Sequence, residues 1–315
     1  MTRKARLLFH SPCFDGIVSA VIAADYLCRG AQWGELEIAD VNYDIQKIWL
    51  STRFEARTAV VDFLYHPDAA FWADHHRSTF LNDDMRRDFA RRSDRHIVYD
   101  HQADSCAGLL WRHLHATASY RNPHFAELVL WAEKIDAARY ESVEEALSFE
   151  HPALQISASM ALSTNGYSEF LVRALSEQSL EEVSMLPEVR ERFLEFRRAT
   201  REGLQRMRDA ASLRDGIVVF DVDAHDVVVP RYAPYLFFPD ARYSVGLVRR
   251  EDEAKITAMR NPWMEFESVA LGDIFTRYGG GGHRRVASVL VAPQGAEMML
   301  ERIVSDVTSA ERNRS

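Results

Sequence analysis

Residues 71–78 read FWADHHRS, an apolar run, Phe71-Trp72-Ala73, that ends on Asp74, His75 and His76 in succession. A short apolar run bounded in this way reads as a buried strand. Strand ends are solvated and collect polar residues, so the triplet alone does not separate chemistry from surface. Its neighbours do. Other apolar runs in the same region stop in the same manner: ARLLFH on His10, TAVVDF with Asp62, and HIVYDH on Asp100 and His101. Between them lie helical patterns. After Asp15-Gly16, the segment IVSAVIAADYLC places Val18, Val21, Ile22 and Tyr26 at helical spacing, with Gly30 able to end it. Strand alternating with helix predicts an α/β domain with a mainly parallel sheet flanked by helices. Ligands in such sheets sit beyond the carboxyl ends of the strands. His10, Asp62, the triplet and Asp100 all fall there.

Working outward, residues 107–178 read as mostly helical, with SCAGLLWRHLH and PHFAELVLWAEKIDAARY carrying apolar residues at helical spacing. The stretch LPEVRERFLEFRRATREGLQRMRDAAS is dense in Arg and Glu. Its Val189, Phe193, Phe196, Leu204 and Met207 recur at helical steps, which predicts a long linker helix with a solvated charged face. The chain then turns strand-like in DGIVVFDVD, DVVVP, YSVGLVRR and KITAMR. A helical SVALGDIFTRY and GGGGHRRVASVLV follow. The expected division is residues 1–185 as the larger domain, 186–212 as the linker helix, and 213–315 as a smaller α+β domain.

Bulk properties narrow the function classes. With 315 residues, 47% hydrophobic and 27% charged, the chain has the composition of a soluble globular protein of about two domains. Its net charge of −9 argues against a dedicated binder of long duplex nucleic acid, which shows a basic face. A small anionic substrate stays open, because a local pocket can be positive on an acidic protein. Three cysteines, Cys13, Cys28 and Cys106, suit a reducing cytoplasm better than a disulfide framework. The apolar run in MTRKARLLFH is too short for a signal peptide, and no segment has the length of a membrane span.

The chemistry-bearing residues form a set. In HSPCFDG, His10, Cys13 and Asp15 lie on one strand-to-helix turn, where Gly16 allows a sharp bend. Asp62 joins from another strand, His75 from the triplet, and Asp136 from EKIDAARY. Singly, Asp62 reads equally well as a cap and Asp136 as a solvated helix residue. Together, mixed carboxylate and imidazole ligands suit Mn²⁺, with Mg²⁺, Fe²⁺ or Co²⁺ as alternatives. A carboxylate shared by two ions would place them to clamp a phosphoryl group and generate a hydroxide near neutral pH. A second feature, GGGGHRR at 279–285, reads either as a flexible loop or as a nest of N–H groups for an anion.

On HSPCFDG, VVDF, ADHHRS, SCAGLLW, EKIDAARY, ITAMRNP and YGGGGHRRVAS, the sequence resembles the DHH phosphoesterase superfamily, in the branch with the DHH-associated C-terminal domain. That branch includes nanoRNases, phosphatases of 3′-phosphoadenosine 5′-phosphate and RecJ-like nucleases. The resemblance runs from residue 10 to about residue 288, in the family's order. It implies a two-Mn²⁺ centre with His10, Asp15, Asp62, His75 and Asp136 as ligands, and His76 beside the reacting phosphate. It also implies a C-terminal domain that holds the substrate through Arg260, Gly280, Gly281, Gly282 and His283. Cys13 departs from the pattern, since many members carry aspartate there. A thiolate is a softer ligand, and a neutral thiol hardly binds a hard ion.

The function expected is metal-dependent hydrolysis of short oligonucleotides or nucleotide phosphates by a metal-activated water, with His76 and Asp62 as the catalytic pair. The alternatives are an inorganic pyrophosphatase or polyphosphatase, and a nucleotide-binding protein with a degenerate centre. A short nucleic acid or nucleotide is the expected partner, with no long duplex and no membrane. A cytoplasmic setting is expected, and a homodimer is allowed.

Overall fold

A computed structural model describes residues 5–54, 56–92, 94, 96–251 and 253–314; the basic start of the chain, residues 1–4, lies outside them. The chain divides into two compact units, one of Met1–Tyr140 with Phe149–Phe193, the other of Glu141–Ser148 with Leu194–Ser315.

The first unit contains β1 (Ala5–His10), α1 (Phe14–Asp25), β2 (Leu36–Val41), β3 (Thr58–Val61), β4 (Phe71–Asp74), α2 (Asp83–Arg91), β5 (Ile97–Tyr99), α3 (Cys106–Ala118) and α4 (Ala126–Asp136). After α5 (Val143–Ser148), which belongs to the second unit, come α6 (Pro152–Ser159), α7 (Tyr167–Glu177), α8 (Leu180–Ser184) and the start of α9 (Pro187–Ala210). The strands form one sheet in the order β2-β1-β3-β4-β5, and every pairing is parallel. Side chains alternate across it, as the strand period of two requires. Leu7, Phe9, Ala59, Val61, Phe71 and Ala73 enter a core with α1, α3, α4 and α7. Leu8, Val60 and Trp72 enter a second core on the other face, with Trp49, Tyr65 and Met85. Burial on both faces explains why these strands read as continuous apolar runs.

The sheet order reverses at β1, with β2 on one side and β3 on the other. The crevice beyond the carboxyl ends of two such strands is where open parallel sheets bind ligands. His10 is the last residue of β1, and Asp62 follows the last residue of β3.

The second unit continues with β6 (Ser212–Arg214), β7 (Ile217–Asp223), α10 (Ala233–Phe237), β8 (Tyr243–Arg249), β9 (Ala254–Arg260), α11 (Leu271–Thr276), β10 (Gly281–Gly282), β11 (Val286–Val291) and α12 (Ala296–Arg312). Its sheet runs β10-β11-β9-β8-β7-β6; β7 and β8 are parallel and the other pairs antiparallel. Ile217, Val219, Val245, Leu247, Ile256 and Ala258 bury one face against α11 and α12.

Some expectations need correction. DVVVP, residues 226–230, is not a strand: Val228 donates its N–H to the Ala199 carbonyl of α9 at 3.2 Å, and Pro230 has no N–H to give a ladder. The strand β2 was not anticipated, because its Glu37 and Asp40 interrupt the apolar run, as an edge position permits. The helix after Gly16 is regular only to Asp25 and closes in a π-type turn over Tyr26–Gly30.

Candidate metal centre

Asp62 is the pivot. It is fully buried, with φ of 55°, so the chain turns sharply as it leaves β3. Among the described residues neither of its carboxylate oxygens accepts a well-formed hydrogen bond, and the nearby Cys13 thiol is the group that favours its charged form. A buried carboxylate without partners is costly, by several kcal/mol per ion in order of magnitude, unless a cation compensates it. Burial, followed by the charges of Asp15, Asp74 and Asp136, pushes its pKa well above the ordinary carboxylate range.

Asp15 stands in the first turn of α1 and is buried. Its carboxylate accepts the Cys106 N–H at 2.7 Å and the Ala107 N–H at 2.8 Å, both from the first turn of α3. Unsatisfied N–H groups at a helix start favour an anion. Ser105 caps the same helix, accepting the Gly108 N–H at 2.9 Å. The stretch SCAG therefore both starts α3 and seats Asp15. Burial, then the charge of Asp136, still raises the Asp15 pKa to about 7. The close approach of α1 to β1 requires Gly16, where a Cβ would lie 2.0 Å from the His10 carbonyl oxygen and 3.2 Å from Asp62 Oδ2.

The two histidines are held by different partners. His75 Nδ1 lies 3.0 Å from the Ala103 carbonyl, so it carries the proton, and Nε2 presents a lone pair. That lone pair faces Asp136 Oδ2 at 3.3 Å, Asp15 Oδ2 at 3.6 Å and Asp62 Oδ1 at 3.8 Å. A lone pair turned toward three carboxylates without a hydrogen bond is arranged for a cation between them. His76 Nδ1 donates to Asp74 Oδ1 at 2.8 Å and stands 3.6 Å from Asp62 Oδ1. Asp74 Oδ1 also accepts the backbone N–H groups of His75, at 2.8 Å, and His76, at 3.3 Å. The first member of the triplet thus positions the other two. Burial lowers the His76 pKa, but the bond to Asp74 and the surrounding carboxylates outweigh it and raise it overall.

His10 Nδ1 lies 3.5 Å from Asp62 Oδ2, buried and without a hydrogen bond. Burial, then the nearby His76, lowers its pKa to about 4, so the ring is neutral and its lone pair available. Tyr43 packs edge-on against it at 5.0 Å. Burial first, then Asp62, Asp15 and Asp136, push the Cys13 thiol up, so it is protonated at neutral pH.

Ligand atoms converge in overlapping groups: Asp62 with Asp74, His75 and His76; His10 with Cys13 and Asp62; Asp15 with His75 and Asp136. Within each group the atoms lie within 4.8 Å of one another, and Asp62 and His75 each belong to two groups. The first unit thus brings together His10, Cys13, Asp15, Asp62, His75, His76 and Asp136, the last from the final residue of α4. Asp100 does not join them; it is exposed and accepts the Gln102 N–H at 2.9 Å. Sequence reasoning missed the positioning role of Asp74 and the place of Tyr43. The signals were the triplet's own first residue and an aromatic just after an unrecognised strand.

In the second unit, Arg260 is 9% exposed and spans a loop rather than pointing outward. Its guanidinium donates to the carbonyls of Asn261 at 3.0 Å, Met264 at 2.6 Å and Phe266 at 3.1 Å, and lies over the Phe266 ring. The glycine run does not form an open nest. Gly279 and Gly280 donate to the carbonyls of Thr276 and Phe275, each at 3.1 Å, and His283 donates its N–H to Val286 at 2.7 Å. Gly281 and Gly282 pair as β10 with Ser288 and Ala287. The His283 and Arg284 carbonyls accept the Gly272 and Leu271 N–H groups at the start of α11, leaving the side chain of His283 exposed.

This fold, a parallel five-stranded sheet flanked by helices and followed by a mixed-sheet unit, matches that of DHH-domain proteins, which are among its structural neighbours. One is the pGpG-specific phosphodiesterase PggH from Vibrio cholerae, with a TM-score of 0.76 and 18% identity over 98% of this chain and 100% of that one. Another is the DHH domain of a member of a ribosomal-protein family, at TM-score 0.59 and 13% identity, covering 98% of this chain and 87% of that one. The exonuclease RecJ bound to manganese has a TM-score of 0.57 and 12% identity, with 97% and 90% covered. No protein-family model matches the sequence, and no curated protein is significantly similar to it.

Proposed function

We propose that this chain is a divalent-metal-dependent phosphoesterase that hydrolyses short oligonucleotides or nucleotide phosphates. The observation that carries the reading is Asp62, fully buried at the β1/β3 reversal among His10, His75 and His76, with no well-formed hydrogen bond to either oxygen among the described residues. The residues fit a metal. His75 Nε2, Asp15 and Asp136 would hold one ion and His10 a second, while Asp62 belongs to the group of His10 and Cys13 and to that of Asp74, His75 and His76. Bound there, Mn²⁺ would supply a hydroxide near neutral pH and offset charge on the phosphoryl oxygens. The other work falls to the chain. Asp74 fixes His76, whose ring is part-exposed and free to donate to a phosphoryl oxygen or to the departing oxygen. Asp15 is held by α3 so that it cannot follow the substrate. Cys13, neutral at neutral pH, would leave its ion with a weaker ligand than an aspartate gives.

The likeness to a pGpG-specific phosphodiesterase supports a linear dinucleotide as the first substrate to test. Mn²⁺ as the working ion, short strands in preference to long duplex, a cytoplasmic setting, and substrate contacts from Arg260, Gly280, Gly281, Gly282 and His283 belong to the same proposal. No helix among the described residues is long and apolar enough to cross a membrane. The test is a hydrolysis screen with pGpG, pApA, 3′-phosphoadenosine 5′-phosphate and pyrophosphate, in Mn²⁺, Mg²⁺ and Co²⁺. Release of mononucleotide from a dinucleotide, lost in Asp62→Asn, is expected. Turnover of pyrophosphate alone would move the reading to a pyrophosphatase. Binding without turnover of any substrate would make the chain a nucleotide-binding protein.

A further inference from the structure

The face of the second unit's sheet opposite α11 and α12 carries a cavity of about 330 Å³, built wholly from residues of that unit. This falls within the range of about 300–1,000 Å³ typical of small-molecule sites. Its floor is apolar: Phe220, Val248 and Met259 line it, with Met207 of α9 and Val229 at the side. Gly246 sets the shape of the floor. A Cβ at Gly246 would lie 2.1 Å from Phe220 Cε2 and 2.2 Å from Cζ, so the ring rests directly on the backbone of β8. Only glycine permits that approach, and it gives the cavity a flat aromatic base.

The rim is cationic. Arg231, Arg250 and Lys255 line the cavity against a single carboxylate, Glu253. Several other arginines of this unit are matched by carboxylates: Arg214 by Glu301, Arg249 by Asp221 and Glu297, Arg312 by Asp215. Arg231, Arg250 and Lys255 make no side-chain ion pair or hydrogen bond among the described residues; Arg231 only lies over the Tyr232 ring at 5.5 Å. On a chain of net charge −9, cations gathered without partners around an apolar floor are a local reversal of sign. The hydroxyls of Thr257 and Ser288 add hydrogen-bonding groups to the wall.

We propose that this cavity is a binding site for a nucleoside phosphate, with its base on the Phe220 floor and its phosphate among Arg231, Arg250 and Lys255. A flat apolar floor selects a planar body, and the unpaired rim selects an anionic end. Neither a bare phosphate nor an uncharged nucleoside uses both. The site does not rest on the metal centre, because every residue in it belongs to the second unit.

Calorimetric titration of the full chain with 5′-GMP, 5′-AMP, guanosine and inorganic phosphate tests it, once in EDTA and once in Mn²⁺. Saturable binding of a nucleotide in EDTA is expected, at least tenfold tighter than guanosine or phosphate. The Arg250→Glu/Lys255→Glu variant should weaken it tenfold or more with its melting temperature unchanged, and Arg231→Glu, on a separate loop, should do the same. Absence of nucleotide binding in EDTA, equal affinity for inorganic phosphate, or unchanged affinity in both variants would each overturn the site. Failure of the hydrolysis screen would leave it standing, since EDTA removes the ion on which that activity depends.

Discussion

At the scale of the residue, Asp62 makes a clear trade between stability and function. Its carboxylate is buried beside Asp15, Asp74 and Asp136, and among the described residues only the Cys13 thiol stands by it to favour the charged form. Removing that charge should relieve the metal-free protein while destroying its affinity for ions. In EDTA, Asp62→Asn is expected to melt about 2–5 °C above the parent, the shift that about 1 kcal/mol or slightly more brings in a domain of this size. In Mn²⁺ the order should reverse, and metal analysis should find little ion bound to the variant. A variant that melts lower than the parent in EDTA would show that Asp62 has partners worth more than its repulsions. His66 illustrates the opposite case, a buried group kept neutral. Its Nδ1 accepts the Asp68 N–H at 3.1 Å and its Nε2 faces the Thr52 carbonyl at 3.1 Å, so a second ring proton would oppose an N–H. Burial lowers its pKa from 6.5, against Asp68, which raises it, while Arg53 lowers it further. Because the folded value is depressed, the unfolded chain takes up the proton first. The stability present above pH of about 6.5 is lost as the pH falls below it. Between pH 7.5 and 5.5 the parent's melting temperature should fall more steeply than that of His66→Gln; parallel curves would refute this.

At the scale of the element, the centre depends on how closely α1 approaches the end of β1. A methyl group at residue 16 has no room beside the His10 carbonyl. Gly16→Ala should push α1 off the strand and carry Cys13 and Asp15 with it, costing about 1–3 kcal/mol as an overpacked site does. Metal affinity should drop at least tenfold, whereas Ser105→Ala, which only uncaps α3, should cost about 1 kcal/mol and a smaller loss. Equal metal affinity in Gly16→Ala and the parent would show that the turn is not what sets the ligands. These elements also show what was legible in the sequence. Strands β1, β3, β4 and β5 could be read because both faces are buried and their runs are continuously apolar. Their polar ends could be read because parallel strands all point their carboxyl ends one way. The edge strand β2 escaped, being half solvated, and DVVVP misled because β-branched residues also suit an extended loop packed on α9. The ligands were legible as residue types. The way Ala103, Asp74 and the α3 N-terminus orient them was not, because backbone carbonyls and helix ends leave no signature in composition. Arg260, the last residue of β9, was picked out by resemblance, but nothing in ITAMRNP foretold that its guanidinium would be taken up by three carbonyls of its own loop.

At the scale of the whole molecule, the ion ligands and the tryptophans give a way to localise the metal without measuring turnover. Every residue in the ligand clusters belongs to the first unit, as do Trp33, Trp49, Trp72, Trp111 and Trp131; Trp263 alone lies in the second. A Trp263→Phe protein therefore reports the unfolding of the first unit by fluorescence. An ion that binds the folded form and not the unfolded one stabilises it by RT ln(1 + [L]/Kd), about 2.7 kcal/mol at a hundredfold excess over Kd. The first unit gains that increment because its unfolding disperses His10, Asp15, Asp62, His75 and Asp136, which lie on β1, α1, the turn after β3, the end of β4 and α4. Urea unfolding of Trp263→Phe at a hundredfold Kd of Mn²⁺ should show a rise of that size, EDTA should abolish it, and Asp62→Asn should be indifferent to both. A protein that retains bound Mn²⁺ by metal analysis yet unfolds at the same urea concentration with and without it would place the ion outside this centre, and the assignment of all five ligands would fall together.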